Sequence, residues 1–159
     1  SAGQLAMNHG QFYHFAGELC FFLTFITAIP LFAYCYWSLV QRRERPRGAA
    51  AGTAWIPLGV VGQSTAASTL LFDAHLYGII MFTIGAPCVA FAMYCFYRAV
   101  FEWTPYSPGW WGSTFPVGTL CLGSWDEGWH RLSFVLLVLL LLHWGACALR
   151  FGTWRLQRA

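Results

Sequence analysis

Residues Pro108 to Ser124 read PGWWGSTFPVGTLCLGS. The run carries no charge, is built from small residues and aromatics, and holds a proline, Pro116, near its middle. It lies inside an uncharged stretch from Trp103 to Trp125. Crossing a bilayer core takes about 20 residues of helix, with a range of about 17–25. Four more uncharged stretches have the right length: Leu19 to Gln41, Gly48 to Phe72, Ala74 to Tyr97 and Leu132 to Leu149. Backbone groups in lipid must be satisfied within the segment, so each stretch predicts a helix. The expected fold is an all-α integral membrane domain over residues 1–159. Its five transmembrane helices are placed near 18–41, 53–72, 76–98, 108–125 and 131–150.

Composition agrees. Of 159 residues only 9% are charged, against roughly 25% in soluble domains, and mean hydropathy is +0.53. The net charge of +3 is carried by Arg alone, because the chain has no Lys. The arginines gather at span ends and form no basic face, which excludes a nucleic-acid partner. Arg42, Arg43, Arg45 and Arg47 follow the first span, Arg98 ends the third, and Arg150, Arg155 and Arg158 follow the fifth. The opposite connections hold Asp73 with His75, and Asp126, Glu127, His130 and Arg131. Positive charge marks the cytoplasmic side, so the expectation is a multi-pass plasma-membrane protein with its N-terminus outside and C-terminus inside. The polar opening, Ser1 to Gln11, lacks the basic start of a signal peptide and has no initiator Met. That pattern predicts a processed chain or a piece of a longer one.

The five spans differ in kind. The first, third and fifth are bulky and apolar and suit lipid contact. The second, Ala49 to Phe72 (AAAGTAWIPLGVVGQSTAASTLLF), and the fourth are rich in Gly, Ser and Thr, with Pro57 and Pro116 inside them. Small residues let helices approach closely. A carbonyl freed by proline is tolerated against protein or a water-filled cavity. The second and fourth spans are therefore expected inside and the others outside, as stacked hairpins around a central axis.

Within the fourth span, Trp110 and Trp111 are read as an aromatic belt at the membrane interface. Phe115 precedes Pro116, and a residue before proline is pushed away from helical dihedrals. A helix break at Phe115 is expected. An aromatic ring at such a break can occlude a narrow pore, as hydrophobic constrictions do. In the second span Gly59, Gly62, Gln63, Ser64, Thr65, Ser68 and Thr69 form a small, polar run. It serves either hydrogen bonding between helices or a lining whose hydroxyls and amide meet a passing anion. No acid or Arg stands mid-span, which argues against a proton-coupled pump in this segment.

Other chemistry finds little footing. The chain has no phosphate loop, zinc-peptidase motif or nucleophile elbow, so no catalytic residues and no enzyme are expected. Cys20, Cys35, Cys88, Cys95, Cys121 and Cys147 all lie in apolar stretches without a C-x-x-C spacing, and are read as free, buried thiols. Of His9, His14, His75, His130 and His143, only His143 lies well inside a span. A bis-histidine haem needs two ligands facing each other across helices, so no cofactor and no metal are expected. A haem-binding redox subunit using His143 and a non-conducting scaffold are the two rival function classes. Glu18 is read as a first-turn charge.

The string Gly109-Trp110-Trp111-Gly112-Ser113-Thr114-Phe115-Pro116-Val117-Gly118-Thr119 resembles the signature helix of the tellurite-resistance/dicarboxylate transporter family. That family includes bacterial tellurite-resistance channels, yeast malate permeases, fungal sulfite pumps and plant slow anion channels. Trp55 to Gln63 resembles its seventh helix, with Gly62-Gln63 nearest the sulfite-pump and malate-permease branches. The likeness runs from about Leu19 to Trp154. It implies a ten-helix ring of hairpins, of which this chain is helices six to ten, the missing helices or a second subunit completing the pore. It also implies a homotrimer of the complete protein, in the bilayer, with a small anion as substrate: sulfite, a C4-dicarboxylate such as malate, or an inorganic or tellurite-linked anion. By this resemblance Phe115 is the pore gate. Pro57, Gly59, Gly62, Gln63, Ser64, Thr114, Pro116, Gly118 and Thr119 line the path.

Overall fold

The computed structural model describes residues 11–42 and 46–156. His9, Arg43, Arg45 and Arg158, named above, lie outside the described residues, and so does the side chain of Arg42. Among the described residues all regular structure is helical. Helix α1 spans Gln11–Arg42. A 3-10 segment, Gly48–Leu58, leads into α2, Gly59–Phe72. Helix α3 spans His75–Phe101. A second 3-10 segment, Pro108–Ser113, leads into α4, Thr114–Asp126, and α5 spans His130–Leu156. Helices α1, α3 and α5 are each long and apolar enough to cross a membrane.

The inside-outside division follows composition. Eight of the fourteen residues of α2 are buried, against four of the twenty-seven in α5. Helices α2 and α4 form the most extensive helix pair, and their leading 3-10 segments also pack together. Glycine makes this possible. A Cβ on Gly62 would collide with the Thr119 backbone, and one on Gly123 would come within 2.6 Å of the Gly62 carbonyl oxygen. Higher up the same seam, a Cβ on Gly52 would lie 2.6 Å from the Gly109 carbonyl oxygen. The backbones touch, which is the close approach that small residues permit.

Four sequence expectations need correction. Helix α4 does not break at Phe115. Thr114 is right-handed helical (φ −71°, ψ −42°), and Phe115 and Pro116 sit in the first α-helical turn. The change of conformation comes one residue before Thr114, where 3-10 spacing gives way to α spacing. Proline's missing N–H costs little in a first turn, and Pro57 stands just before the matching junction at Gly59. Trp110 is no belt residue. It is fully buried, donates from Nε1 to the Gly48 carbonyl at 3.2 Å, and packs edge-on against Phe96. The backbone contact at Gly52 draws it inward. Glu18 lies well inside α1, because the helix begins at Gln11, and pairs with His14 one turn earlier at 3.2 Å. Lastly, the cysteines are all free, yet Cys20 is exposed and only Cys95 and Cys147 are fully buried.

Candidate functional site: the face of α2 and α4

Phe115 is the conspicuous residue of the inner pair. Its neighbours Pro116 and Val117 are buried, while its ring is 62% exposed. The ring stands over α2: an ideal Cβ on Gly59 would lie 3.5 Å from Phe115 Cε1. A side-chain methyl at 59 would make ordinary contact with the ring, so the ring packs directly over this turn of α2. Beside it opens a cavity of about 350 Å³, walled by Ile56, Gly59, Val60, Gln63 and Ser64 of the second span and by Phe115 and Leu122 of the fourth. Helix α1 supplies the facing wall with Cys20, Thr24 and Phe25. The outer helix thus shares in the cavity, although most of its residues are exposed.

The sequence-predicted residues fall into two groups. Phe115, Gly59, Gln63 and Ser64 meet at the cavity. Gln63 is exposed there, and Ser64 bonds back to the Val61 carbonyl at 3.4 Å. Gly62 and Thr119 meet at the α2–α4 seam, where the Thr119 hydroxyl donates to the Pro116 carbonyl at 2.8 Å. Thr114 donates to Trp111 O at 2.8 Å, and Gly118 faces Leu140 of α5. Pro57 closes the first 3-10 segment and Pro116 opens α4. A hydroxyl that donates to its own helix carbonyl keeps only acceptor lone pairs, so Ser64, Thr114 or Thr119 would have to turn its single O–H away from that carbonyl to meet an anion.

A larger groove of about 580 Å³ lies between α3 and α5, lined by Phe82, Val89, Leu120 and Leu136. Its polar side chains are Thr83, whose hydroxyl bonds the Ile79 carbonyl at 2.7 Å, and Trp129, with its indole N–H. The Phe115 cavity, which holds the exposed amide of Gln63, is the more polar of the two and is the candidate site.

The described histidines, His14, His75, His130 and His143, are not brought together. His143 is fully buried, stacked on Phe96 at 4.4 Å and flanked by Trp55 and Tyr97. Its Nδ1 lies 2.9 Å from the Leu139 carbonyl, so that nitrogen carries the proton. Aromatic rings close around it and leave no room for a macrocycle. His130 packs at a tilt against Trp125, and His14 pairs with Glu18. Among the described residues no three His, Cys, Asp or Glu gather as a metal would need.

Sequence reasoning missed Glu127. Read as a loop charge, its side chain is only 1% exposed and lies against His75. Position in the sequence gave no sign of this, because the space for the carboxylate comes from Gly78 on another helix.

A family model described as voltage-dependent anion channel matches residues 1–151. Neither a curated protein nor a solved structure matches the chain.

Proposed function

Starting from a chain that belongs to the voltage-dependent anion channel family, we propose that its inner helices form one wall of a path for small anions, gated by Phe115. The protein is a membrane protein, and the family carries anions across membranes. The finer reading rests on one observation: a large aromatic ring held out of the core, over a glycine, at the mouth of a cavity that also holds an exposed amide. In lipid an exposed glutamine would be costly, whereas facing a watered path it donates two N–H groups to an anion. Gly59, Gln63 and Ser64 meet the anion. Pro57, Gly62, Thr114, Pro116, Gly118 and Thr119 form the backbone-close wall behind them. The absence of a mid-membrane charge at this cavity suits weak binding and rapid passage, which conduction requires. Sulfite, malate or another C4-dicarboxylate, and inorganic anions are the substrates proposed. Further helices or a second subunit complete the wall opposite α2 and α4, in a trimer whose Arg-rich ends face the cytoplasm.

The test is anion flux from proteoliposomes containing the complete reading frame, with chloride, nitrate, malate and sulfite in parallel. Phe115→Ala is expected to raise flux by about tenfold or more, as loss of a steric constriction would. Equal flux in the two forms removes the gate, and no flux from either, with the protein inserted and folded, removes the transport reading.

A further inference from the structure

At the end of the molecule where α2 turns into α3 and α4 into α5, four side chains converge. The Glu127 carboxylate is 1% exposed. Thr69 Oγ1 donates to its Oε1, and His75 Nδ1 lies 2.8 Å from its Oε2. The other ring nitrogen, Nε2, lies 3.1 Å from Asp73 Oδ1. A carboxylate can only accept, so a histidine with a carboxylate oxygen on each nitrogen must donate from both. With both acids ionised, His75 is an imidazolium.

The place is built for the charge. Gly78 lies directly behind Glu127: a Cβ there would overlap the carboxylate. Asp73 closes α2 in the left-handed conformation, φ 53°, and its N–H bonds to Thr69 O at 3.0 Å. Asp tolerates that conformation better than most residues, and it sets the acid next to the imidazole. Glu127 itself caps the C-terminus of α4, where a negative charge is disfavoured by the helix dipole. A buried carboxylate at that end needs a cation, and His75 is the one in contact with it.

We propose that Glu127 and His75 form a proton-held latch that fixes the α2 and α4 ends against α3 and thereby restrains the anion path. Glu127 is thus a positioning residue that acts through the helices, and this role rests on the transport reading above. With the ring doubly protonated both carboxylates are held. As pH rises the ring loses one proton, one carboxylate contact turns repulsive, and the buried anion at the end of α4 loses its counter-charge. The other titratable groups at this end are few. Asp126 adjoins Glu127, and burial first, then Glu127, pushes its carboxyl above the ordinary range. His130 packs at a tilt against Trp125, and Arg131 is exposed. Tyr77 of α3 packs on Phe21 of α1, and the His14–Glu18 pair lies next along α1. None of these places a second cation on Glu127.

The experiment uses the complete protein in proteoliposomes, with chloride efflux and the thermal midpoint both followed from about pH 6 to about pH 9, the range in which an imidazole titrates. Wild type should show efflux rising by about fivefold or more with pH and a midpoint that falls over the same interval. His75→Gln should be flat in both, at the high-efflux, low-midpoint level. His75→Lys, which keeps its charge, should be flat at the low-efflux level. A wild-type pH profile retained by His75→Gln overturns the latch, as does identical behaviour of the Lys and Gln variants. If no form conducts, Phe115→Ala included, the transport reading fails alone. The latch as a structural device is then decided by the midpoints: a falling wild-type curve beside a flat His75→Gln curve upholds it, and parallel curves overturn it.

Discussion

Phe115 and Gly62 show how differently two residues of the inner pair are used. Phe115 is displayed, and Gly62 vanishes into the seam with Thr119. Adding one methyl to Gly62 forces the α2 and α4 backbones apart. Gly62→Ala should cost about 1–3 kcal/mol, the usual penalty for overpacking a tight contact, read as a lower thermal midpoint in detergent. Gly145, whose Cβ would meet nothing, provides the control, and Gly145→Ala should leave the midpoint unchanged or raise it. Equal losses in both variants would show that the seam is not tight. At this scale the sequence was legible in type more than in place. Pro, Gly, Ser and Thr marked the correct spans as interior. Gly62 and Gln63 are neighbours, however, and only the helix rotation sends one into the seam and the other to the cavity. Trp110 was misplaced because its burial depends on a glycine, Gly52, fifty-eight residues away in the other span.

At the scale of elements, the two inner segments share a design: a 3-10 lead, a proline near the junction, then a short α-helix. The prolines announced irregularity, and a local rule put it at Phe115. The irregularity lies in the lead instead, because 3-10 spacing stacks the segments Gly48–Leu58 and Pro108–Ser113 against each other. No local rule carries that information, since it is a contact between distant segments. Arg150 ties this end to the outer helices. Its Nη2 donates to the Val100 carbonyl at 3.0 Å, and its guanidinium lies 4.4 Å from the Trp103 ring and 5.7 Å from that of Trp110. Arg150→Ala should therefore destabilise by about 1.5–3 kcal/mol, as expected for a charged hydrogen bond. Arg150→Lys should recover less than half, because an ammonium lacks the planar face that stacks on indole. Thermal midpoints of the three forms check this, and full recovery by Lys would reduce the tie to simple charge.

For the whole molecule, what the sequence made plain was solvent and class. Five uncharged stretches predicted five helical stretches in lipid, and an inner pair within three greasy helices. The Glu127–His75 contact was not legible, since it joins two turns that the sequence separates by fifty-two residues. The division into greasy and polar helices has a consequence for how the protein is made. Among the described residues, only α1, α3 and α5 are helices long and apolar enough to cross a membrane by themselves. The second and fourth segments are split by their 3-10 leads, so that α2, with 14 residues, and α4, with 13, are each too short to span a bilayer as an α-helix alone. Each is followed within a few residues by a strongly apolar helix, and α2 and α4 then shelter each other's backbone. Membrane entry of the inner segments is therefore a debt settled by the segment synthesised next. Glycosylation mapping in microsomes checks this: Gly48–Phe72 placed alone in a reporter should largely fail to insert, and should insert when His75–Phe101 follows. Equal insertion in both would make each inner helix self-sufficient. Biogenesis in this order also means that a polar substitution in α3 or α5 would do its harm one helix upstream.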